Sequence, residues 1–176
     1  MHTTCSDGEL TVPQVIKVYE RLGFDFIALT DHDYLIRPGC YTILEQIQTS
    51  MLVFTGVEKT VFQKGYVHVN EIHGIDDKLY IFNHPHEMGL PVNKAVQRIF
   101  EVHQQIQIDA IEITTRGFST PEYDIPAIPF PKVATDDSHM LAGCGRAWVE
   151  MDVKRDKDSI IRAIRLGDFW NCFASS

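Results

Sequence analysis

Apolar positions Val15, Val18, Tyr19 and Leu22 fall on one stripe of a 3.6-residue period that ends at Gly23. Thr11 with Gln14 three residues later reads as a capping box, and Pro13 lies in the first turn, where a missing N–H is harmless. These signals predict a first helix. Residues 26–30 follow at once as a short continuous apolar run, the pattern of a strand covered on both faces. The alternation then repeats. A weaker helix is expected around residues 41–48, strands over 52–57 and 67–72, an apolar run over 79–82, and a helix over 94–104. Strands over 110–113, 133–135 and 148–151 come next, and the last clear helix covers 159–166. Interleaving of this kind implies βα units and a largely parallel sheet, open or closed into a barrel. Pro121, Pro126, Pro129 and Pro131 make residues 117–131 a long loop near the strand ends.

At 176 residues and 44% hydrophobic, the chain can bury one sizeable core, so a single domain is expected. A formal charge of −8 opposes a general nucleic-acid or anionic-membrane surface, and no basic run offsets it. The chain holds neither an apolar stretch of spanning length nor the opening of a secretory signal, which makes the cytoplasm the expected compartment. Cys5, Cys40, Cys144 and Cys172 are far apart and form no CxxC pair. Reduced thiols are expected, with Cys144 and Cys172 buried as small apolar residues.

The chemistry is written at the strand ends. His32 follows the strand at 26–30, Glu58 the one at 52–57 and His84 the run at 79–82; Asp137 and His139 follow 133–135. In parallel α/β folds the carboxyl ends of strands share one mouth, so residues remote in sequence meet there. Imidazole and carboxylate together suit Zn²⁺, Mn²⁺ or Fe, whereas an all-oxygen set would suit Mg²⁺ or Ca²⁺. A hydrolytic metal centre is the natural reading of such a set.

Residues 1–8 (Met-His-Thr-Thr-Cys-Ser-Asp-Gly) and 29–33 (Leu-Thr-Asp-His-Asp) resemble the opening of the PHP (polymerase and histidinol phosphatase) superfamily. Gly56-Val57-Glu58 is similar to its bridging-glutamate motif, Asn83-His84-Pro85 to its HP motif, and Asp136 to His139 to its terminal D-x-H. His68 lies about ten residues beyond the glutamate, as a further family ligand does. Residues 145–149 and 163–170 resemble the branch that includes carbamate hydrolases.

The resemblance implies a distorted (β/α)7 barrel of parallel strands with the metal site at their C-terminal ends. It also implies hydrolysis of a phosphate ester by a hydroxide bridging two metals, with a small phosphorylated substrate. His2, Glu58 and Asp137 would hold a first divalent ion, Glu58 with His68 and His84 a second, and Asp7, His32 and His139 a third. Asp31, Asp33 and Asp136 become candidate acceptors for the outer imidazole N–H groups. Glu58, Asp137 and His86 take the catalytic roles, His86 as general acid, and Arg116 and Arg146 are candidates to clamp phosphate. Glu112 is a candidate for hydrogen bonding near the metals, while His73 and His103 read as ordinary. Because His2 matches the second histidine of the family's H-x-H, the first histidine and its strand would precede Met1, and the tail would stop short of its relatives. Hydrolysis of a non-phosphate ester, amide or carbamate, or a non-catalytic metal-binding module, are the alternative readings.

Overall fold

The computed structural model describes residues 1–175. In chain order the elements are α1 (Val12–Arg21), β1 (Phe26–Leu29), β2 (Leu52–Phe62), β3 (Tyr66–His73), β4 (Lys78–Phe82), α2 (Val92–His103) and β5 (Ala110–Glu112). They continue with β6 (Thr114–Thr115), β7 (Phe118–Ser119), β8 (Lys132–Val133), β9 (Ala147–Glu150), α3 (Lys157–Leu166) and β10 (Trp170–Phe173). The predicted helix around 41–48 is a 3-10 helix, Cys40–Gln46.

The main sheet has the order β1-β2-β3-β4-β5-β8 and curls into a half-barrel. Its directions are mixed, which corrects the expectation of a parallel barrel. β1–β2, β4–β5 and β5–β8 run parallel, but β2–β3 and β3–β4 run antiparallel. The physical reason is loop length. Gln63 to Gly65 reverse the chain between β2 and β3, with Lys64 and Gly65 both at positive φ, and Asp76 and Asp77 lie in the short turn before β4. Connections this short join antiparallel strands only; a parallel pair needs a crossover of a dozen residues or more.

Side-chain alternation assigns the two faces of this sheet. On one face Ile27 and Leu29 of β1 pack on Val12, Val15, Ile16 and Tyr19 of α1. Val67, Val69, Phe82 and Ile111 pack on Ala95, Ile99 and Val102 of α2. The other face carries Phe54, Ile72, Leu79, Ile81 and Val133, against which α3 lays Ile160, Ile161 and Ile164. Leu22, at the end of the predicted α1 stripe, is 52% exposed. Asp156 caps α3 by accepting from Ser159 N at 2.9 Å, and Arg165 ties the helix to Asp77 and Asp109.

The strand alternation also positions the chemistry. Phe54, Gly56 and Glu58 share a face of β2, and β3 presents Ile72, Asn70 and His68 in the opposite direction, with Glu58 opposite Asn70. That face is therefore apolar at one end and carries ionisable groups at the other. Gly56 leaves no room for a side chain against β3: a Cβ there would lie 2.3 Å from Glu71 O.

Two expectations about cysteine are overturned. Cys5 and Cys40 form a disulfide across 35 positions, with Cα atoms 5.7 Å apart, and Cys144 and Cys172 are free but only partly buried. Closing a loop of that length contributes roughly 3–4 kcal/mol in the chain-entropy account. No described helix is long and apolar enough to cross a membrane.

Gly56→Ala is expected to destabilise the protein by about 1–3 kcal/mol, because β3 must move away from the new methyl group. Urea unfolding measures it; a variant as stable as the parent would show that the approach of β2 and β3 is looser than described.

Candidate metal centre

The chain's first residues reach the centre because two backbone hydrogen bonds stitch them across it. Thr30 N donates to Met1 O at 2.9 Å, and His2 N donates to Ser138 O at 3.0 Å. The loop beyond is fastened to Asp31, a fully buried carboxylate that accepts from Thr3 N, Thr3 Oγ1, Ser6 N and Ser6 Oγ at 2.5 to 3.0 Å. Tyr41 Oη donates to the same group at 2.7 Å. Asp136 similarly accepts from Tyr19 Oη and from Gly145 N. Asp31 and Asp136 thus hold loops in place, and neither accepts from an imidazole as expected. Asp33 is exposed and accepts only from Thr60 N among the described residues.

Glu58 stands at the middle, 1% exposed, with its two oxygens facing different neighbours. Oε2 lies 2.9 Å from His32 Nδ1 and 3.5 Å from His2 Nε2. Oε1 lies 3.2 Å from His84 Nε2 and 3.7 Å from His68 Nδ1, and it accepts from Asn83 Nδ2 at 2.6 Å. Asp137 Oδ1 is 3.3 Å from His2 Nε2. Asp7 lies 3.4 to 3.6 Å from His2, His32 and His139, and the His2 and His139 rings stack at 3.9 Å. Ligand-type atoms converge within 4.8 Å in three overlapping groups: His2, Asp7, His32 and His139; His32, Glu58 and His68; and His2, Glu58 and Asp137.

Several of these close pairs are not aligned as hydrogen bonds. Nδ1 of His2 and Nδ1 of His32 are buried without a hydrogen-bond partner, although carboxylate oxygens lie nearby. Buried polar atoms are rarely left so. Nitrogens and oxygens that aim at a common point rather than at each other fit a cation between them, and the mixed imidazole and carboxylate set suits Zn²⁺, Mn²⁺ or Fe. His84 and Asp137 hold left-handed backbone, φ 24° and 41°, a conformation that costs free energy and recurs at functional positions.

Charge balance follows from burial and proximity. Burial alone would raise the Glu58 carboxyl, but the close His32 and His84 imidazoles and the nearby His2 and His68 pull it far below the usual range. Burial would lower His84; the Glu58 bond and the charges of Glu112 and Asp137 instead push it up to about 10. Burial keeps His2 and His68 below their ordinary value, so both are neutral ligand candidates near neutral pH.

The neighbours complete the site. Glu112, fully buried and raised to about 7 by that burial, accepts from His84 N at 2.7 Å and from the Thr114 and Thr135 hydroxyls. Glu87 Oε2 lies 3.6 Å from His84 Nδ1, a carboxylate placed to orient that ring. Sequence reasoning missed Asn83, Tyr41 and Glu87, of which only Asn83, beside His84, carried a positional signal. His86 is exposed on the 3-10 turn Pro85–Met88, with Nδ1 2.8 Å from Glu122 Oε1, outside the lining of the metal pocket. His73 pairs with Glu71 and His103 accepts from Ile108 N, both structural roles.

A pocket of about 610 Å³ opens over the cluster, lined by Asp7, His32, Glu58, His68, His84 and Asp137 and rimmed by Glu87, Arg116, Phe118, Met140 and Arg146. An adjoining, more apolar cavity of about 690 Å³ lies on the same sheet face against α3, lined by Phe54, Ile72, Ile81 and Ile161 and sharing Asp136 and Asp137 with the first.

No protein-family model and no curated protein matches the sequence. Among solved structures, a two-domain protein of Bacteroides vulgatus ATCC 8482 containing a predicted PHP-like metal-dependent phosphoesterase superposes with a TM-score of 0.70 at 20% identity. The match covers 98% of this chain and 63% of that one. The chain therefore spans less than two thirds of its structural neighbour, and the likeness establishes a PHP-like fold.

Because a cation competes with the proton on His84, Mn²⁺ affinity is expected to rise about tenfold per pH unit between about pH 6 and 8 for each proton displaced. In chelator-treated protein the sign reverses. A His raised from 6.5 to about 10 adds stability that is complete below 6.5 and lost as pH climbs to about 10. Thermal melts of chelated protein should fall across that window, and His84→Gln should flatten the fall; equal slopes would contradict the assignment.

Proposed function

We propose that the chain is a metal-dependent hydrolase acting on a small phosphate ester. The observation that carries this reading is Glu58, whose two oxygens face His2 and His32 on one side and His68 and His84 on the other. A buried carboxylate so divided is suited to bridge two cations. In this reading His2, Glu58 and Asp137 would hold one ion, Glu58, His68 and His84 a second, and Asp7, His32 and His139 a third. Divalent Zn, Mn or Fe held there would polarise phosphoryl oxygens and lower the pKa of bound water.

The chain's own groups do the rest. Asp137, with only 12% of its side chain exposed, lies 3.3 Å from His2 Nε2 and in this reading would take up a proton from water at that cluster. Glu112 holds His84 by its backbone N–H, and Glu87 lies 3.6 Å from its outer ring nitrogen. Arg116 and Arg146 form a cationic lip. The turn between β6 and β7 places Arg116 and Gly117 at positive φ, and Gly117 packs where a Cβ would lie 2.5 Å from Arg146 Cβ. Arg146 lies 4.9 Å over the Phe118 ring and donates to Arg116 O at 3.5 Å. Guanidinium groups at that position can pair with phosphoryl oxygens as the ester seats. His86, turned to Glu122, has no part in this reading.

The same centre could polarise a carboxyl ester, amide or carbamate, but two arginines at the lip favour an anionic substrate. The pocket volume fits a small molecule, and the net charge of −8 disfavours an extended polynucleotide.

With Mn²⁺ or Zn²⁺ supplied, turnover should be highest on phosphomonoesters in a panel that includes phosphodiesters, carboxyl esters, amides and carbamates. Glu58→Gln should lower turnover about a hundredfold or more, with loss of bound metal. Arg146→Ala should cut kcat/KM for phosphomonoesters by roughly 10- to 100-fold, as expected for a lost charge-assisted hydrogen bond. A Glu58→Gln variant that keeps both metal and activity would defeat the proposal.

A further inference from the structure

The Cys5–Cys40 disulfide lies inside the loop that carries two of the proposed ligands. Cys5 stands between His2 and Asp7, is 1% exposed, and its carbonyl accepts from Arg37 N at 3.1 Å. Cys40, partly exposed, begins the 3-10 helix Cys40–Gln46. The next residue, Tyr41, donates to Asp31, the carboxylate that gathers Thr3 and Ser6. One short helix therefore holds the ligand loop at two adjacent points, one covalent and one through Asp31.

The ligands differ in how much they depend on that hold. His2 is also fixed by Ser138 O and by its stack on His139, and Glu58, His68 and His84 belong to strands and turns across the pocket. Asp7 has 41% of its side chain exposed and is placed chiefly by the loop, through turn hydrogen bonds from Ser6 N and Gly8 N to Thr3 O and a bond from Ser6 Oγ at 3.1 Å, with one backbone tie beyond it from Glu9 N to His139 O. Loosening the loop moves Asp7 before it moves the others.

We infer that the Cys5–Cys40 disulfide is a redox clamp on metal binding, whose reduction weakens the Asp7, His32 and His139 cluster and spares the cluster of Glu58, His68 and His84. The inference rests on the metal-centre reading above. Reduction requires a dithiol donor. Its thiolate attacks Sγ of Cys40, the less buried residue of the pair; the S–S bond breaks and Cys5 leaves as a thiolate that takes up a proton. The donor's second thiol then resolves the mixed disulfide, freeing the Cys40 thiol. Two electrons and two protons pass to the protein, and the donor ends as its own disulfide. Exchange with a small disulfide oxidant reverses the reaction. Such a bond persists in oxidising surroundings and opens in reducing ones.

The test is calorimetric titration with Mn²⁺ alone, chosen because thiols bind it poorly, on protein oxidised by glutathione disulfide and on protein reduced by dithiothreitol and then desalted. Peptide mass mapping verifies the 5–40 linkage. The reduced form should show one class of sites weakened about tenfold or more and another unchanged. Cys40→Ser should behave as the reduced form under both conditions, and Tyr41→Phe should weaken the same class without changing the thiol count. Superimposable isotherms for the two verified redox forms would overturn the inference, as would equal weakening of every class or free thiols at 5 and 40 after oxidation. Absence of Mn²⁺ binding in both forms would instead overturn the metal-centre reading and this inference with it.

Discussion

A carboxylate taken out of water must be met by positive charge or by hydrogen bonds, and at Glu58 this requirement organises the surrounding structure. The group is buried on the inner face of β2, where burial works against its charge, and it stays ionised because Asn83 donates to it and the His84, His32 and other imidazoles lie close. Several segments that reach the centre bring a group that answers this charge. β3 brings His68, the turn after β4 brings Asn83 and His84, the segment after β1 brings His32, and the first residues bring His2.

Holding so many imidazoles and carboxylates together needs a scaffold that does not itself compete for them, and the half-barrel provides it by separating tasks. The apolar half of the inner face is packed by α3, while α1 and α2 cover the outer face. The loops are fastened by carboxylates that accept from backbone N–H and hydroxyl groups. Asp31 gathers the first loop, Asp136 is held by Tyr19, and Glu112 grips the backbone at His84. The left-handed backbone at His84 and Asp137 lies beside two of these anchors, Glu112 at His84 N and Asp136 next to Asp137.

Much of this was legible in the chain. The helical stripes of α1, α2 and α3 and the apolar runs of the strands were readable because each buries one face or two, and periodicity reports burial. His32, Glu58, His84, Asp137 and His139 were readable because ionisable residues just past apolar runs stand at strand ends. Strand direction was not, since apolar patterning says nothing of the turn at Lys64 and Gly65 that reverses β3. The 5–40 disulfide was hidden for a similar reason: its partners are 35 positions apart, and only the folded loop brings their Cα atoms to 5.7 Å. Tyr41 and Glu87 act through contacts made by short 3-10 segments, which leave almost no periodic signal. His86 followed His84 in sequence, but the 3-10 turn points it toward Glu122.

Because the fold and the donor cluster are shared by any protein that binds metal on this frame, the decisive question is where cations sit. Diffraction from crystals of metal-loaded protein, measured above and below the absorption edge of the bound element, answers it directly. The account predicts anomalous peaks on both sides of the Glu58 carboxylate, one near His2 and Asp137 and another near His68 and His84. Peaks confined to exposed histidines such as His86, with none beside Glu58, would contradict it.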